Sequence, residues 1–278
     1  MSSLKTTIIV PVYIGNKLEE VENCMNSLFN QTYTNFDILL IFDGKLTLDV
    51  ESYLNNILQK NKKITKISFD ENVGLAKALN RGIKTIQSDF IVRVDADSIS
   101  KPNRLELQIN HLISNPDIDV LGSMIEELRD SGKMYFQKMP LTHKDCFYEF
   151  KFRNPISHPT AVFRKTFFEK AGLYPTKYYK DEDSALWLNG FLNNCIFANL
   201  NEPLVECKLD NELLDRRKDL KGIISTFINK VRIVYKLKFG LIGYLFAIFR
   251  LIIMLSPRSI LMKSYLLRNK IWKMIKRK

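Results

Sequence analysis

Apolar and polar residues fall in regular blocks along the first hundred positions. "TTIIVPVY" (6–13) is a continuous apolar run, the pattern of a strand buried on both faces of a parallel sheet. In "LEEVENCMNSLFNQTY", Leu18, Val21, Met25 and Leu28 recur at helical spacing, and acids stand near the start, where the helix dipole favours them. "FDILLIFDG" reads as a second buried strand ending in Asp-Gly, "LDVESYLNNILQK" as a helix and "ITKISFD" as a third strand. "NVGLAKALNRGIKTI" predicts a helix capped by Asn72, and "FIVRVDAD" a fourth strand. Strands alternating with helices of this length imply right-handed βαβ crossovers and a parallel sheet. Open sheets of this kind bind ligands beyond the carboxyl ends of their strands. Asp43, Asp95 and Asp97 all fall at such ends.

After about residue 140 the alternation weakens. "SHPTAVF" reads as a strand, "DEDSALWLNGFLNN" as a helix with an acidic first turn, and "CIFANL" and "PLVEC" as two short strands. The polar stretch "DNELLDRRKD" marks a shift in composition. The expected organisation is an α/β domain over residues 1–215, with a mostly parallel sheet and helices on both faces, followed by a helical tail over 216–278.

Charge sharpens that boundary. From 216 to 278 there are 17 Lys and Arg against one acid, a net of +16, which leaves the first 215 residues at −4 out of the total of +12. The longest apolar run of the tail, 239–256, is interrupted by Arg250, Gly240 and Gly243. A spanning helix needs about 20 mainly apolar residues, and a central Arg costs about 2.5–3.5 kcal/mol on insertion. Basic helices interleaved with Leu, Ile, Phe and Trp fit better as elements lying on anionic lipid. A basic helical hairpin packed on the body is the plainer reading. The interleaved aliphatics disfavour nucleic acid. Four scattered cysteines, without CxxC spacing, read as reduced and mostly buried thiols of a cytoplasmic protein, and a structural zinc site is disfavoured.

The candidate chemistry is acidic. The turn "PVYIGNK" after the first strand has no GxGxxG, and GxxxxGK[ST] is absent, so dinucleotide-binding and P-loop chemistry are disfavoured. Asp95-Ala96-Asp97 places two carboxylates past a strand end, suited to a hard cation such as Mg²⁺ or Mn²⁺ shared with substrate phosphates. The plainer reading is a solvated turn. Asp43-Gly44 is also compatible with a simple turn, and Glu182 and Asp183 with first-turn charges on a helix dipole. Lys77 and Arg81 share a helix that reads as a solvated face or as an approach to a diphosphate. His158 reads as a structural histidine or as a contact to acceptor or diphosphate.

"IIVPVY", "FDILLIFDG", "NVGLAKALNRGI", "FIVRVDAD" and "DEDSALWL" occur in an order and spacing that resemble inverting glycosyltransferase family 2. "NPISHPTAVFRK", and Asp-Gly in place of the commoner Asp-Asp-Gly-Ser, make the likeness closest to bacterial O-antigen, capsule and exopolysaccharide transferases. The resemblance covers roughly 6–207. It implies a GT-A fold and a metal-dependent hexosyltransferase using a nucleotide-diphosphate sugar, with UDP as the expected nucleotide. Pro11, Val12 and Tyr13 would line the nucleobase pocket and Asp43 would accept from the uracil ring. Lys77 would belong to the donor side. Asp95 would lie near ribose and metal, Asp97 would ligate Mn²⁺ or Mg²⁺, and Asp183 would be the general base. His158 and Glu182 are secondary candidates for acceptor or diphosphate contacts. Phe42 and Ser98 stand where the family often carries further acids. The implied acceptor is a polyprenyl-diphosphate-linked glycan, and the implied location is the cytoplasmic face of the inner membrane, held peripherally or monotopically. A sugar nucleotidyltransferase is the first rival, but "PVYIGNK" lacks its Gly-rich, Arg-containing loop. A non-catalytic subunit of a polysaccharide synthase is the second, and its expected loss of Asp97 or Asp183 has not occurred.

Overall fold

The apolar runs pair into one curled sheet. The computed structural model describes residues 4–129, 132, 134–209, 219–257 and 260. Strands β1 (Thr6–Val12), β2 (Phe36–Phe42), β3 (Ile64–Ser68) and β4 (Phe90–Arg93) lie parallel in the spatial order β3-β2-β1-β4. They are joined through α1 (Leu18–Phe29), α2 (Leu48–Lys60) and α3 (Leu75–Thr85). The chain runs outward from β1 to β3 and then returns to β4 on the other side of β1. The crevice at the ends of β1 and β4 is therefore a topological switch point. Tyr13 and Asp95 stand on its two sides.

The second half extends the sheet through segments that the apolar pattern left unread. These are β5 (Ser98–Ser100), α4 (Arg104–Ser114), β6 (Val120–Arg129), β7 (Met134–Gln137) and α5 (His143–Phe150). A 3-10 turn (His158–Thr160), β8 (Val162–Arg164), α6 (Lys165–Ala171), α7 (Glu182–Leu192) and β9 (Phe197–Leu209) follow. β8 is antiparallel between β4 and β6, β9 is parallel to β6, and β5 and β7 are reversed at the margins. The two short strands expected at "CIFANL" and "PLVEC" are one strand of 13 residues. Its pairing with β6 jumps from Ser123↔Leu200 to Met124↔Pro203. The irregularity accommodates Pro203, which has no N–H to donate.

Alternate residues of each central strand feed opposite cores. Ile8 and Val10 pack with Met25, Leu28, Leu54 and Ile109 under α1, α2 and α4. Ile9 and Ile41 pack with Leu79, Ile83, Phe163, Phe167 and Trp187 under α3, α6 and α7. One sequence-based expectation fails here. Helix α3 begins after Gly74 (φ +87°), not after an Asn72 cap, because the Asn72 side chain is engaged with Asp43.

The described part of the tail forms α8 (Leu220–Lys236) and α9 (Gly240–Leu255). The boundary drawn between 215 and 216 lies outside the described residues, as do 261–278. Helix α8 buries Ile223, Asn229, Lys230, Ile233 and Val234 and exposes Leu220, Ile224, Ile228 and Tyr235. Phe239 and Phe246 meet Phe147 and Phe152 edge-on, each pair at 5.1 Å. Among the described residues no helix is long and apolar enough to cross a membrane. All four cysteines are free thiols, three buried and Cys207 partly so.

Candidate active site

The site is built around the end of β4. Strand alternation turns Arg93 toward the α7 side of the sheet, with only 2% of its surface exposed. Its guanidinium pairs with Asp95 Oδ1, while its carbonyl accepts from Arg104 Nη2 at 3.0 Å. Arg93 Nε and Nη1 are buried donors without a partner. Just beyond, the chain turns sharply: the Asp95 carbonyl accepts from the Ser98 backbone at 3.1 Å and from its hydroxyl at 2.9 Å. Ala96 is buried, Asp95 is partly exposed and Asp97 is exposed.

The two carboxylates thus face solvent in a turn pinned from below. Among the described residues no three His, Cys, Asp or Glu side chains are grouped as metal ligands. Two hard-oxygen side chains nevertheless fit a divalent ion that draws its remaining ligands from a diphosphate and water, as Mg²⁺ commonly does. Asp97 and Asp95 would be the donors.

Across the switch point, the Tyr13 N–H donates to Asn16 Oδ1 at 2.9 Å and the Asn16 N–H returns to the Tyr13 carbonyl at 3.0 Å. Pro11 and Tyr13 are partly exposed and Val12 is buried. Asp43 is 5% exposed. Its carboxylate accepts from the Val73 N–H at 2.7 Å and from Asn72 Nδ2 at 3.1 Å. Gly44 permits this clasp, since a Cβ there would meet Asn72 N at 2.7 Å in a backbone already at φ +87°. Lys77 and Arg81 are exposed on α3.

Opposite stands the first turn of α7. Asp183 Oδ1 accepts from the Ser184 N–H at 2.7 Å and Oδ2 from Asn154 Nδ2 at 2.8 Å. The preceding Asp181 is left-handed, at φ +77°, a conformation that persists only when its surroundings impose it. Here Asn229 of α8 donates to Asp181 Oδ2 at 2.7 Å, and the Ser184 hydroxyl donates to Oδ1 at 2.6 Å. Burial raises the pKa of all three acids, reinforced for Asp181 and Glu182 by the Asp183 charge. Asp181 and Glu182 are pushed up to about 7. Arg93 counters the rise at Glu182 and Asp183.

Buried Arg93 is therefore common to two groups of carboxylates, pairing with Asp95 and acting electrostatically on Glu182 and Asp183. His158 belongs to the wall behind it. His158 Nε2 and the Tyr174 hydroxyl share a hydrogen bond of 2.8 Å. Burial, with Arg93 adding to it, holds the imidazole well below its ordinary pKa, so it is neutral. Tyr174 is fixed in turn by Asn80, which exchanges hydrogen bonds of 2.8 and 2.9 Å with its backbone.

Residues 7–172 match the family model described as Glycosyl transferase family 2. The chain belongs to glycosyltransferase family 2. The amylovoran biosynthesis glycosyltransferase AmsE of Erwinia amylovora is 27% identical over 263 residues, spanning 93% of this chain and 97% of that protein. The UDP-Gal:alpha-D-GlcNAc-diphosphoundecaprenol beta-1,3-galactosyltransferase of Escherichia coli is 29% identical over 223 residues, 80% of each chain. Among solved structures, the mannosyltransferase PcManGT of Pyrobaculum calidifontis, in complex with GDP-Man and Mn²⁺, superposes with a TM-score of 0.61 at 16% identity. That match covers 84% of this chain and 64% of the other. The architecture is the GT-A fold. This family-2 chain is a glycosyltransferase related to those of bacterial surface polysaccharide biosynthesis.

Reading the sequence singled out Asp43, Asp95, Asp97 and Asp183 and passed over Arg93, Asp181, Tyr174 and Asn154. For Arg93 a signal existed: a charge in the middle of an otherwise apolar strand, two residues before the first carboxylate. Asp181, Tyr174 and Asn154 come from loops whose partners are distant in sequence.

Proposed function

We propose that this family-2 enzyme transfers a hexosyl residue from a nucleotide-diphosphate sugar to a lipid-diphosphate-linked glycan, inverting the anomeric carbon, during assembly of a bacterial surface polysaccharide such as O-antigen or capsule. One observation carries the reading: Arg93 pairs with Asp95 of the strand-end carboxylate turn and also acts electrostatically on the half-buried acid Asp183, so the proposed metal-side and base-side acids share one cation. A group that manages a leaving diphosphate and a group that deprotonates an acceptor must be opposed for a single displacement. The name of the Escherichia coli relative, with its UDP-linked donor and diphosphoundecaprenol acceptor, supports both substrates.

The acceptor hydroxyl is a poor nucleophile until its proton is removed. Asp183, held at both oxygens and with its pKa raised by burial, accepts that proton as the hydroxyl oxygen attacks. The new C–O bond forms as the anomeric bond to the diphosphate oxygen breaks, and the nucleoside diphosphate departs. Pro11, Val12 and Tyr13 flank the nucleobase, with Asp43 below it, and Lys77 reaches the donor side from α3. Asp97 and Asp95 would hold Mn²⁺ or Mg²⁺, which would offset negative charge on the diphosphate; the Mn²⁺ in the Pyrobaculum structure supports this choice. The neutral, buried His158 supports the wall through Tyr174, a role that carries no charge. Glu182 lies beside the base and helps set its proton affinity.

Location follows from the tail. Leu241, Ile242, Leu245, Ile248, Phe249 and Ile252 of α9 are all about half exposed or more. Such a surface, flanked by basic residues, suits the cytoplasmic face of the inner membrane, where a lipid-linked acceptor is reached from the cytosol. The proposed membrane-associating unit is 216–278, attached to a catalytic domain over 1–215.

The deciding experiment incubates the full chain with a panel of UDP-sugars and a bacterial lipid extract, measuring nucleotide release and the anomeric configuration of the lipid product. Inverted product is expected, and Asp183→Asn should turn over about 10²–10⁴-fold more slowly while binding UDP as before. Retained configuration, or normal turnover by the variant, rejects the mechanism.

A further inference from the structure

Helix α9 carries a single charged residue, Arg250, among apolar neighbours. Phe246 and Arg250 lie one turn apart on the same helix face. The Phe246 ring packs edge-on against Phe152 at 5.1 Å. Phe152 is two residues from Asn154, whose amide holds Asp183. Gly243 lets α9 close on α8, since a Cβ there would stand 2.8 Å from Val234. Helix α8 in turn grips Asp181 through Asn229. The packing thus sets α9 beside the elements that hold Asp181 and Asp183. The guanidinium lowers the pKa of both Asp181 and Asp183 and that of the buried Lys230, so its charge is felt at the site. Arg250 is only partly exposed, and among the described residues it makes no ion pair within 4 Å and no hydrogen bond.

Lys151 also meets this aromatic contact, its Nζ 5.1 Å from the Phe152 ring centroid. Two cations, Lys151 and the Arg250 one turn from Phe246, are therefore associated with the Phe152–Phe246 pair. An acceptor whose hydroxyl reaches Asp183 must place the rest of its sugar, then its diphosphate, then its hydrocarbon chain along some path away from the base. A path along α9 would meet a guanidinium and the apolar side chains Leu245, Phe249 and Ile252, each with about half or more of its surface exposed. The planar guanidinium is suited to paired hydrogen bonds with phosphate oxygens.

We propose that Arg250 binds the diphosphate of the lipid-linked acceptor, with Lys151 as a second cation. The assignment rests on the acceptor class proposed above. Asp181 and Glu182, whose carboxyls are raised by burial, oppose an incoming anion less than fully ionised acids do. The same arrangement gives α9 two functions: its apolar face holds the lipid, and its one charge fixes the register of the headgroup against the base.

The test uses the full-length protein in detergent with saturating UDP and Mg²⁺, so that the donor site is occupied. Calorimetric titration with farnesyl diphosphate, and separately with farnesol, compares the native chain with Arg250→Gln and Arg250→Lys. Loss of a charge-assisted contact predicts farnesyl diphosphate affinity about 10–100-fold weaker in Arg250→Gln, with Arg250→Lys in between. Farnesol binding and UDP binding should change less than about twofold, a margin well inside one tenfold step. Equal farnesyl diphosphate affinity in the native and Arg250→Gln chains overturns the proposal. So does a parallel loss of farnesol binding, which would mean that α9 had shifted, or a native chain that does not distinguish the two probes. Transfer to lipid extract is scored separately. If the native chain transfers no sugar the acceptor reading fails, whereas transfer unaffected by Arg250→Gln removes only the role given to Arg250.

Discussion

Replacing Arg93 with methionine keeps a long side chain of similar volume and removes the buried cation. Breaking a buried ion pair by deleting one partner costs about 3–5 kcal/mol, because a charge is left uncompensated. Two features reduce that figure here. The Asp95 side chain is 32% exposed, so water retains part of its solvation. Arg93 also carries two buried donors without partners, and removing such groups recovers some of the roughly 1–3 kcal/mol that each costs. The expected net loss is about 1–3 kcal/mol, a fall in melting temperature of roughly 2–12 °C at about 2–4 °C per kcal/mol. Function should respond in a second way. Arg93 lowers the pKa of Glu182 and Asp183, so its loss raises them, and the base is ionised only at higher pH. The acid limb of kcat/KM against pH should therefore move to higher pH, and the rate on the acid side should fall. Arg93→Lys, which keeps the charge, should restore most of the pH profile even if stability remains low. Thermal melts and pH–rate profiles of the three proteins provide the check. A methionine variant with the native acid limb would refute Arg93 as the shared counter-ion, whatever its stability.

The acid cluster should also show in folding. Asp181 and Glu182, raised from ordinary values of 3.8 and 4.5 to about 7, hold protons in the folded chain that the unfolded chain has released. Their contribution to stability is therefore greatest below about pH 4 and declines as pH rises toward about 7. Glu182→Gln should accordingly raise the melting temperature at pH 8 relative to the native protein and have little effect at pH 4.5; equal shifts at both values would contradict the linkage. Asp97→Ala should weaken Mn²⁺-dependent UDP binding and reduce transfer by orders of magnitude, with EDTA abolishing native activity. Full activity under chelation would remove the metal assignment. Leu245→Glu with Phe249→Glu should lower co-sedimentation with anionic vesicles in high salt, where screening leaves mainly the apolar contribution, without altering UDP affinity. Unchanged sedimentation would place the lipid contact elsewhere.

The first four strands and three crossovers were legible because β1, β2 and β4 are mostly buried apolar runs and amphipathic helices separate them, as Ile8 to Val12 and Val21 to Leu28 show; β3, in which only Ile64 is buried, is placed by the alternation. Residues 98–139 were not. β5 has three residues and β7 four, too short for a periodic signal, and β6 carries Glu126, Glu127 and Arg129 in its second half. β9 read as two strands because the irregularity at Pro203 interrupts its apolar pattern. The Asn72 cap failed for a tertiary reason: a local capping preference lost to a partner 29 residues away, Asp43. Of the site, the strand-end carboxylates were visible from position alone. The left-handed Asp181 was not, since its conformation depends on Asn229, 48 residues downstream.

On the nucleobase role proposed for Asp43, its clasp with residues 72–73 bears on nucleotide selection. A carboxylate on an open strand end would sample several rotamers, and a ligand would have to freeze it on arrival. Here the Val73 N–H and the Asn72 amide have already fixed the Asp43 side chain, so that ordering is complete when the chain folds. The oxygen lone pairs left over point in a direction set by β3 and its following turn, not by the nucleotide. Pre-organisation of this kind moves part of the affinity into residues that need not touch the ligand. A change at Asn72 or Gly44 would then register as weaker nucleotide binding and a lost preference among bases, from a segment that supplies no contact of its own.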